Sequence, residues 1–598
     1  MPLPAAAEPT KDADMTDTTI SAAETRLDAL LSAMTIEEKV GSLLVARIVT
    51  GAGGTLWEGA DDESPFGFAP TTALLRERHV SHVTLMNPAP VAELARWGEA
   101  IRGVAASTRL GIPVSVASDP VHGRSRNHDV AMSGGGFTSF PEPIALAATR
   151  DSALVREAAR MIGAELRAAG IHIALHPMAD LATEPRWARV SGTFGEDPGL
   201  ASRLVSEYVT GLGESGVAAT VKHFPGGGPQ RGGEDAHFER GAHTVYPGGR
   251  FDDHLRPFAA AIDAGVVRVM PGYAAPLGLE YDEVGFAFER RLITDLLRDR
   301  LGFDGVVVTD FNIVNGMRLP RLGVELPVRA WGMLDADPVQ RVVRLLDAGV
   351  DQFGGEDDPA PVLEALDRGL VSEERIDESV RRVLREKERL GLFDDAAARA
   401  AAPAEVRERI AIPAHLAIGE RVQRASVVAL QGEPVALTPT TRVHVEGMDA
   451  DALAGRALVV DDPASADLAI LRLAAPYEQR EGMLEQGFHS GSLEFSDEEV
   501  ARISDIAAQT PTVIDVFLDR PAVLTPLAEL GVTLLGTFGV DDGILLDAVS
   551  GRAATTGRLP FDLPRSMAAV EASREDVPFD TADPLWRFGQ GLHWPNIS

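Results

Sequence analysis

Residues 287–311 read AFERRLITDLLRDRLGFDGVVVTDF. The segment 287–300 is a Leu- and Arg-rich, helix-like stretch, and 305–309 (GVVVT) is a β-branched run with the signature of a buried strand. A helix delivering the chain into a short apolar strand, with a carboxylate (Asp310) just past the strand end, is one unit of a βαβ pattern. The same unit recurs on both sides. Strand candidates lie at 43–49, 80–85, 112–117, 171–175, 217–221, 266–270, 305–309 and 349–353, with helix-like segments such as 151–169, 199–212 and 252–264 between them. Eight such units predict an α/β fold, a (β/α)8 TIM-type barrel, although periodicity alone also permits a doubly wound open sheet.

Beyond residue 359 two helices close this domain, and the Ala-rich stretch DDAAARAAAPAE (394–405) reads as a linker. Further strand candidates follow at 426–430, 442–446, 457–460, 468–473, 512–517, 531–536 and 558–561, with a helix at 496–509. The expected organisation is a disordered tail over 1–25, a catalytic barrel over 26–393, a linker over 394–415 and a smaller α/β sandwich over 416–598 that contributes to the active site.

Composition narrows the function. With 56 Lys and Arg against 89 Asp and Glu, the formal charge of the 598 residues is −33, a field that repels nucleic acid and anionic membrane surfaces. The absence of cysteine removes disulfides and thiolate chemistry. No apolar run reaches the roughly eighteen residues of a membrane span, and the first residues lack a basic segment followed by an apolar one. A cytoplasmic protein is expected, with homo-oligomerisation left open.

In a barrel, reactive side chains gather just past the strand ends. Reading there yields Asp119 and His122 after the third strand, and Arg186, Trp187 and Arg189 after the fourth. Lys222 and His223 follow the fifth, Tyr273 the sixth, Asp310 and Phe311 the seventh, and Glu356 the eighth. Carboxylates, cations and aromatics at one rim suit carbohydrate chemistry, in which one carboxylate must be ionised and a second group must protonate the leaving oxygen. Read singly, each residue has a plainer role. Asp310 serves equally as a helix cap. Arg189 reads as an ion-pair partner of Glu196 or Asp197, and Lys222-His223 as a solvated strand end. Glu356, in the turn-like GGEDDP, receives no role. The glycines at 226–228 and 232–233 are not part of a GxxxxGK[ST] phosphate loop, and no metal-ligand spacing is present.

Together the stretches GIPVSVASDPVHG (111–123), EPRWARVSGTFGEDP (184–198), VKHFPGGG (221–228), GFDGVVVTDF (302–311), VSEERIDESVRRVLREKERLGLF (371–393) and GRLPFDLP (557–564) resemble glycoside hydrolase family 3, particularly its bacterial two-domain β-glucosidases and exo-glucanase-like members. The resemblance runs from about residue 25 to the C-terminus, across both domains. It implies a retaining, exo-acting β-glycosidase, in the first instance a β-glucosidase, working through a covalent glycosyl-aspartate without cofactor or metal. It implies Asp310 as nucleophile and Asp119, Arg189, Lys222, His223, Tyr273 and Phe311 around the sugar. Many relatives have Trp where Phe311 stands. The acid/base of two-domain relatives is a Glu from the second domain. Here the matching stretch, 468–495, has Ala474-Ala475 at the expected place, which leaves Glu478 first, then Glu481 and Glu485. The family's β-N-acetylglucosaminidases use an Asp-x-His pair after the fifth strand, matched here by Asp235 and His237; this is the alternative acid/base. A β-N-acetylglucosaminidase or β-xylosidase is accordingly the second reading, and a non-catalytic sugar-binding protein the third.

Overall fold

The computed structural model describes residues 17–59, 67–87, 89–123, 135–320, 323–394, 402, 405–482 and 484–597. Eight parallel strands form the first sheet: β1 (Leu44–Ile48), β2 (His82–Leu85), β3 (Ser115–Ser118), β4 (Ile173–Ala174), β5 (Ala218–Phe224), β6 (Arg268–Pro271), β7 (Val306–Val307) and β8 (Phe353–Gly354). Their order is β8-β1-β2-β3-β4-β5-β6-β7. A parallel bridge between Val308 and Gln352 joins the two ends, with Thr309 N donating to Gln352 O at 2.9 Å and Asp351 N to Val307 O at 2.8 Å. The ring is therefore closed, which decides against the open sheet. Inward side chains of Val45, Ala117, Ile173, Ala218, Met270 and Val308 fill it, joined by Leu390 and Leu392 from the chain after the last barrel helix.

The helices expected from the pattern form at Ser152–Ala168, Pro198–Glu214, Phe251–Asp263 and Arg291–Arg300. Two more, Ala360–Asp367 and Glu373–Arg389, close the domain. Residues 17–25, expected in the tail, instead open the helix Asp17–Ala33. It buries Leu27 and Leu31, and Glu24 and Asp28 pair with Arg385 and Arg381 of Glu373–Arg389, which gives a polar segment its reason to order. The remainder of the expected tail, and residues 395–401, 403 and 404 of the expected linker, lie outside the described residues. The helix Pro413–Ser426, which spans the expected linker end, packs on the barrel helices Pro143–Thr149 and Ser152–Ala168.

The second sheet comprises β9 (Val428–Gln431), β10 (Arg442–Glu446), β11 (Leu458–Val459), β12 (Leu468–Ala474), β13 (Thr512–Phe517) and β14 (Thr533–Thr537), ordered β9-β14-β13-β12-β10-β11. Only β9 runs antiparallel to its neighbour. The expected strand at 558–561 does not form. Pro560 lacks a ladder donor, and this segment instead meets the barrel, where Pro560 O accepts from Glu196 N at 3.1 Å. Among the described residues no helix is long and apolar enough to cross a membrane.

Candidate active site

Residues past β3, β4, β6 and β7 converge at one rim with Lys222 and His223, which lie at the end of β5 itself rather than beyond it. Asp310 follows β7 and is buried, with 8% of its surface exposed. Its Oδ1 accepts from Phe311 N at 2.8 Å; its Oδ2 is buried without a hydrogen-bond partner and lies 3.8 Å from His223 Nε2. Among the described residues Asp310 caps no helix; the next α-helix starts at Pro338 under its own cap, Asp337. An unpaired carboxylate oxygen inside a protein is costly unless the site is meant to engage a ligand.

The cations expected near Asp310 are there, and they are buried rather than solvated. Lys222 Nζ bonds Asp119 Oδ1 at 3.1 Å. Arg189 does not turn to Glu196, whose carboxylate takes Asp562 N and Phe579 N; its Nη1 lies 2.9 Å from His223 Nε2. His223 Nδ1 faces Asp180 Oδ2 at 2.9 Å. A guanidinium can only donate, so Nε2 accepts and the His223 proton sits on Nδ1. Burial pushes the Asp310 carboxyl up, but His223, His237, Lys222 and Arg189 outweigh it and hold the group below the usual carboxylate range.

Asp180 is fully buried and takes both His223 N and Gly227 N, fixing the turn after β5. A Cβ on Gly227 would come within 3.1 Å of that carboxylate, and one on Gly228 would meet Leu181 O at 1.9 Å, which explains the glycines without any phosphate. Tyr273 holds the backbone beside Asp310: its hydroxyl donates to Phe311 O at 2.8 Å and accepts from Phe311 N at 3.0 Å. Arg329 Nη1 donates to that hydroxyl at 3.3 Å. The Phe311 ring rests on Gly354 and Gly355, where any Cβ would collide with it.

The candidate acids occupy two different settings. Glu478 lies on a two-stranded ribbon of the second domain, bridged antiparallel to Ser490, with its side chain 53% exposed and 3.6 Å from Arg480 Nη2. Glu485 pairs with Arg240, and Glu481 is exposed. Asp235 and His237 instead line the same cavity as Asp310, together with Trp187, Arg189, His223 and Tyr273. His237 Nδ1 is 2.6 Å from Asp235 Oδ1, and Asp235 Oδ2 accepts from Trp187 Nε1 at 2.8 Å. Burial lowers the His237 pKa while Asp235 opposes that shift. The His237 ring packs edge-on against Tyr273 at 4.9 Å and against Phe488 of the ribbon at 5.1 Å.

Residue-type reasoning passed over Asp180, although it lies close past the strand candidate 171–175. It also gave no role to Glu356, whose carboxylate takes Val314 N, Asn315 N and Asn315 Nδ2 and so pins the loop behind Asp310. Burial raises Glu356 to about 7. Its position past β8 was the available signal.

Residues 35–386 match the model of the glycosyl hydrolase family 3 N-terminal domain. The probable β-glucosidase C of Aspergillus oryzae is 43% identical over 585 residues, spanning 96% of this chain and 90% of its own length. The periplasmic β-glucosidase/β-xylosidase of Dickeya chrysanthemi is 36% identical over 607 residues, covering 96% and 91%. In fold, the chain superposes on the β-glucosidase of Listeria innocua, solved with isofagomine, with a TM-score of 0.74 at 21% identity, over 96% of this chain and 83% of that one.

Proposed function

The chain belongs to glycosyl hydrolase family 3 and is a glycoside hydrolase, and from that premise we propose that it is a β-glucosidase releasing glucose from non-reducing ends with retention of configuration. The observation that carries this reading is Asp310: an ionised carboxylate, one oxygen tied to the backbone and the other unpartnered, in a cavity walled by Arg189, His223, His237 and Tyr273. In the first step the free oxygen attacks the anomeric carbon and the aglycone leaves with a proton; in the second, water hydrolyses the glycosyl-aspartate. Asp119, Lys222, Arg189 and His223 offer charged and hydrogen-bonding groups for the sugar hydroxyls. The cavity shared with Asp310 favours His237 over Glu478 as the group that gives and retrieves the proton, with Asp235 orienting it. Names of relatives that include β-xylosidase keep a pentose glycone as the second reading.

The direct test is Asp310→Asn, assayed on aryl β-glucosides. Loss of the nucleophile lowers kcat by about a thousandfold or more, with an unchanged circular-dichroism spectrum. Wild-type turnover in this variant would sink the assignment. A panel of aryl glucosides, xylosides and N-acetylglucosaminides ranks the glycones, with glucosides expected first.

A further inference from the structure

The turn after β13 holds Asp519 and Arg520, neither of which the reaction above uses. Arg520 is fully buried, yet it has no carboxylate in hydrogen-bonding position. Its guanidinium is spread over three backbone carbonyls: Pro476 O at 2.5 Å, Gly491 O at 3.2 Å and Arg186 O at 2.9 Å. Burial lowers its pKa to about 10, which still leaves it charged at neutral pH. Burying a cation among carbonyls is expensive, and a structure that retains one is using its geometry.

The three acceptors define that geometry. Pro476 and Gly491 are the two feet of the second-domain ribbon, which is closed between them by the Glu478–Ser490 bridge. Asp519 grips the same ribbon through His489, on which Tyr477 stacks at 3.8 Å. The returning arm of the ribbon carries Phe488, two residues before the bridge at Ser490, and its ring packs on His237 and Phe238 at 5.1 Å each. Ion pairs fasten it further: Arg480 to Glu234 at 2.9 Å and Glu485 to Arg240 at 2.5 Å. The third acceptor, Arg186 O, precedes Trp187, whose indole N–H holds Asp235. One guanidinium thus ties the ribbon that packs on His237 to the barrel loop that orients the partner of His237.

We propose that Arg520 is a positioning residue that locks the ribbon 476–491 over the barrel rim as the leaving-group wall of the site, fixing the Asp235–His237 pair for protonation of the departing oxygen. The inference rests on the glucosidase reading and makes a claim that reading does not: disturbing a residue of the second domain impairs only leaving groups that need a proton. A dinitrophenolate departs unaided, whereas the sugar alkoxide of cellobiose does not.

The experiment measures kcat and KM of the full-length R520M and R520K variants on cellobiose and on dinitrophenyl β-glucoside. R520M is expected to lose about tenfold or more in kcat/KM on cellobiose and less than about threefold on the dinitrophenyl substrate, with R520K recovering part of the loss. Equal losses on both substrates, or none on either, overturn the proposal, since a merely structural guanidinium would affect both alike. If R520M does not fold, Phe488→Ala removes the ribbon's contact with His237 while leaving the buried cation in place, and must show the same split. A wild-type chain inactive on both glucosides would remove the glucosidase reading and this inference with it; an active one without the split removes the inference alone.

Discussion

A single carboxylate, Asp310, illustrates how little residue type says and how much surroundings add. Alone it is an even match for a helix cap; beside Lys222 and Arg189, with one oxygen unclaimed, it fits the nucleophile proposed above. The proposed proton donor is a second case. Place in the sequence favours Glu478, because family relatives draw this group from the second domain, yet its side chain stands half in solvent against Arg480. His237 shares the cavity of Asp310. The two assignments separate cleanly in kinetics. His237→Ala should lose about a hundredfold in kcat/KM on cellobiose but little on dinitrophenyl β-glucoside, whereas Glu478→Ala should stay within about threefold on both. The reverse pattern would return the role to Glu478.

At the scale of elements, the barrel is closed from below by its last helix, Glu373–Arg389. Glu386 accepts from Arg268 Nη1 at 2.9 and 2.8 Å and lies 3.2 Å from His82 Nε2, while Arg268 Nη2 reaches Gln352 Oε1 at 2.9 Å. Three strands and a helix meet in this one buried network. Lys387 adds hydrogen bonds to Ser81 O, Pro113 O and Ser115 Oγ, and burial lowers its pKa well below the ordinary lysine value. Removing one partner strands a buried charge, so Glu386→Ala should cost about 3–5 kcal/mol in equilibrium unfolding. Because the network lies at the strand starts and Asp310 beyond the strand ends, the folded variant should keep a near-normal KM for glucosides. A variant as stable as the wild type would show that the network contributes nothing net. The helices and all eight barrel strands were readable from period and residue type, since both reflect burial. The strand expected at 558–561 was not, because apolar residues flanked by prolines look alike whether they join a sheet or seal a domain interface.

For the molecule as a whole, the junction between barrel and second domain contains carboxyls that burial keeps protonated. Glu196, raised to about 8 by burial and by Asp562, takes Asp562 N and Phe579 N from the second domain, and Glu142, also raised to about 8 by burial and by Asp519, donates its N–H to Phe538 O. Each keeps in the folded state a proton that the unfolded chain releases above the ordinary value of 4.5, so its contribution to stability declines as pH rises from about 4.5 to about 8. Other groups, buried His82 and Lys387 among them, titrate alike in wild type and variant, so a difference isolates the effect. The Tm of Glu196→Gln relative to wild type should climb between pH 5 and pH 8, and a pH-independent difference would contradict the assignment. The sequence by itself determined the βαβ rhythm and a set of polar residues at strand ends, because these follow from periodicity and local spacing. Only the tertiary structure decided ring closure, that Asp235 and His237 line the cavity of Asp310 while Glu478 stands half in solvent, and which partners Asp180, Glu356 and Arg520 meet. Those depend on contacts between residues tens to hundreds of positions apart, and nothing local in the chain records which distant carbonyl or carboxylate a side chain will meet.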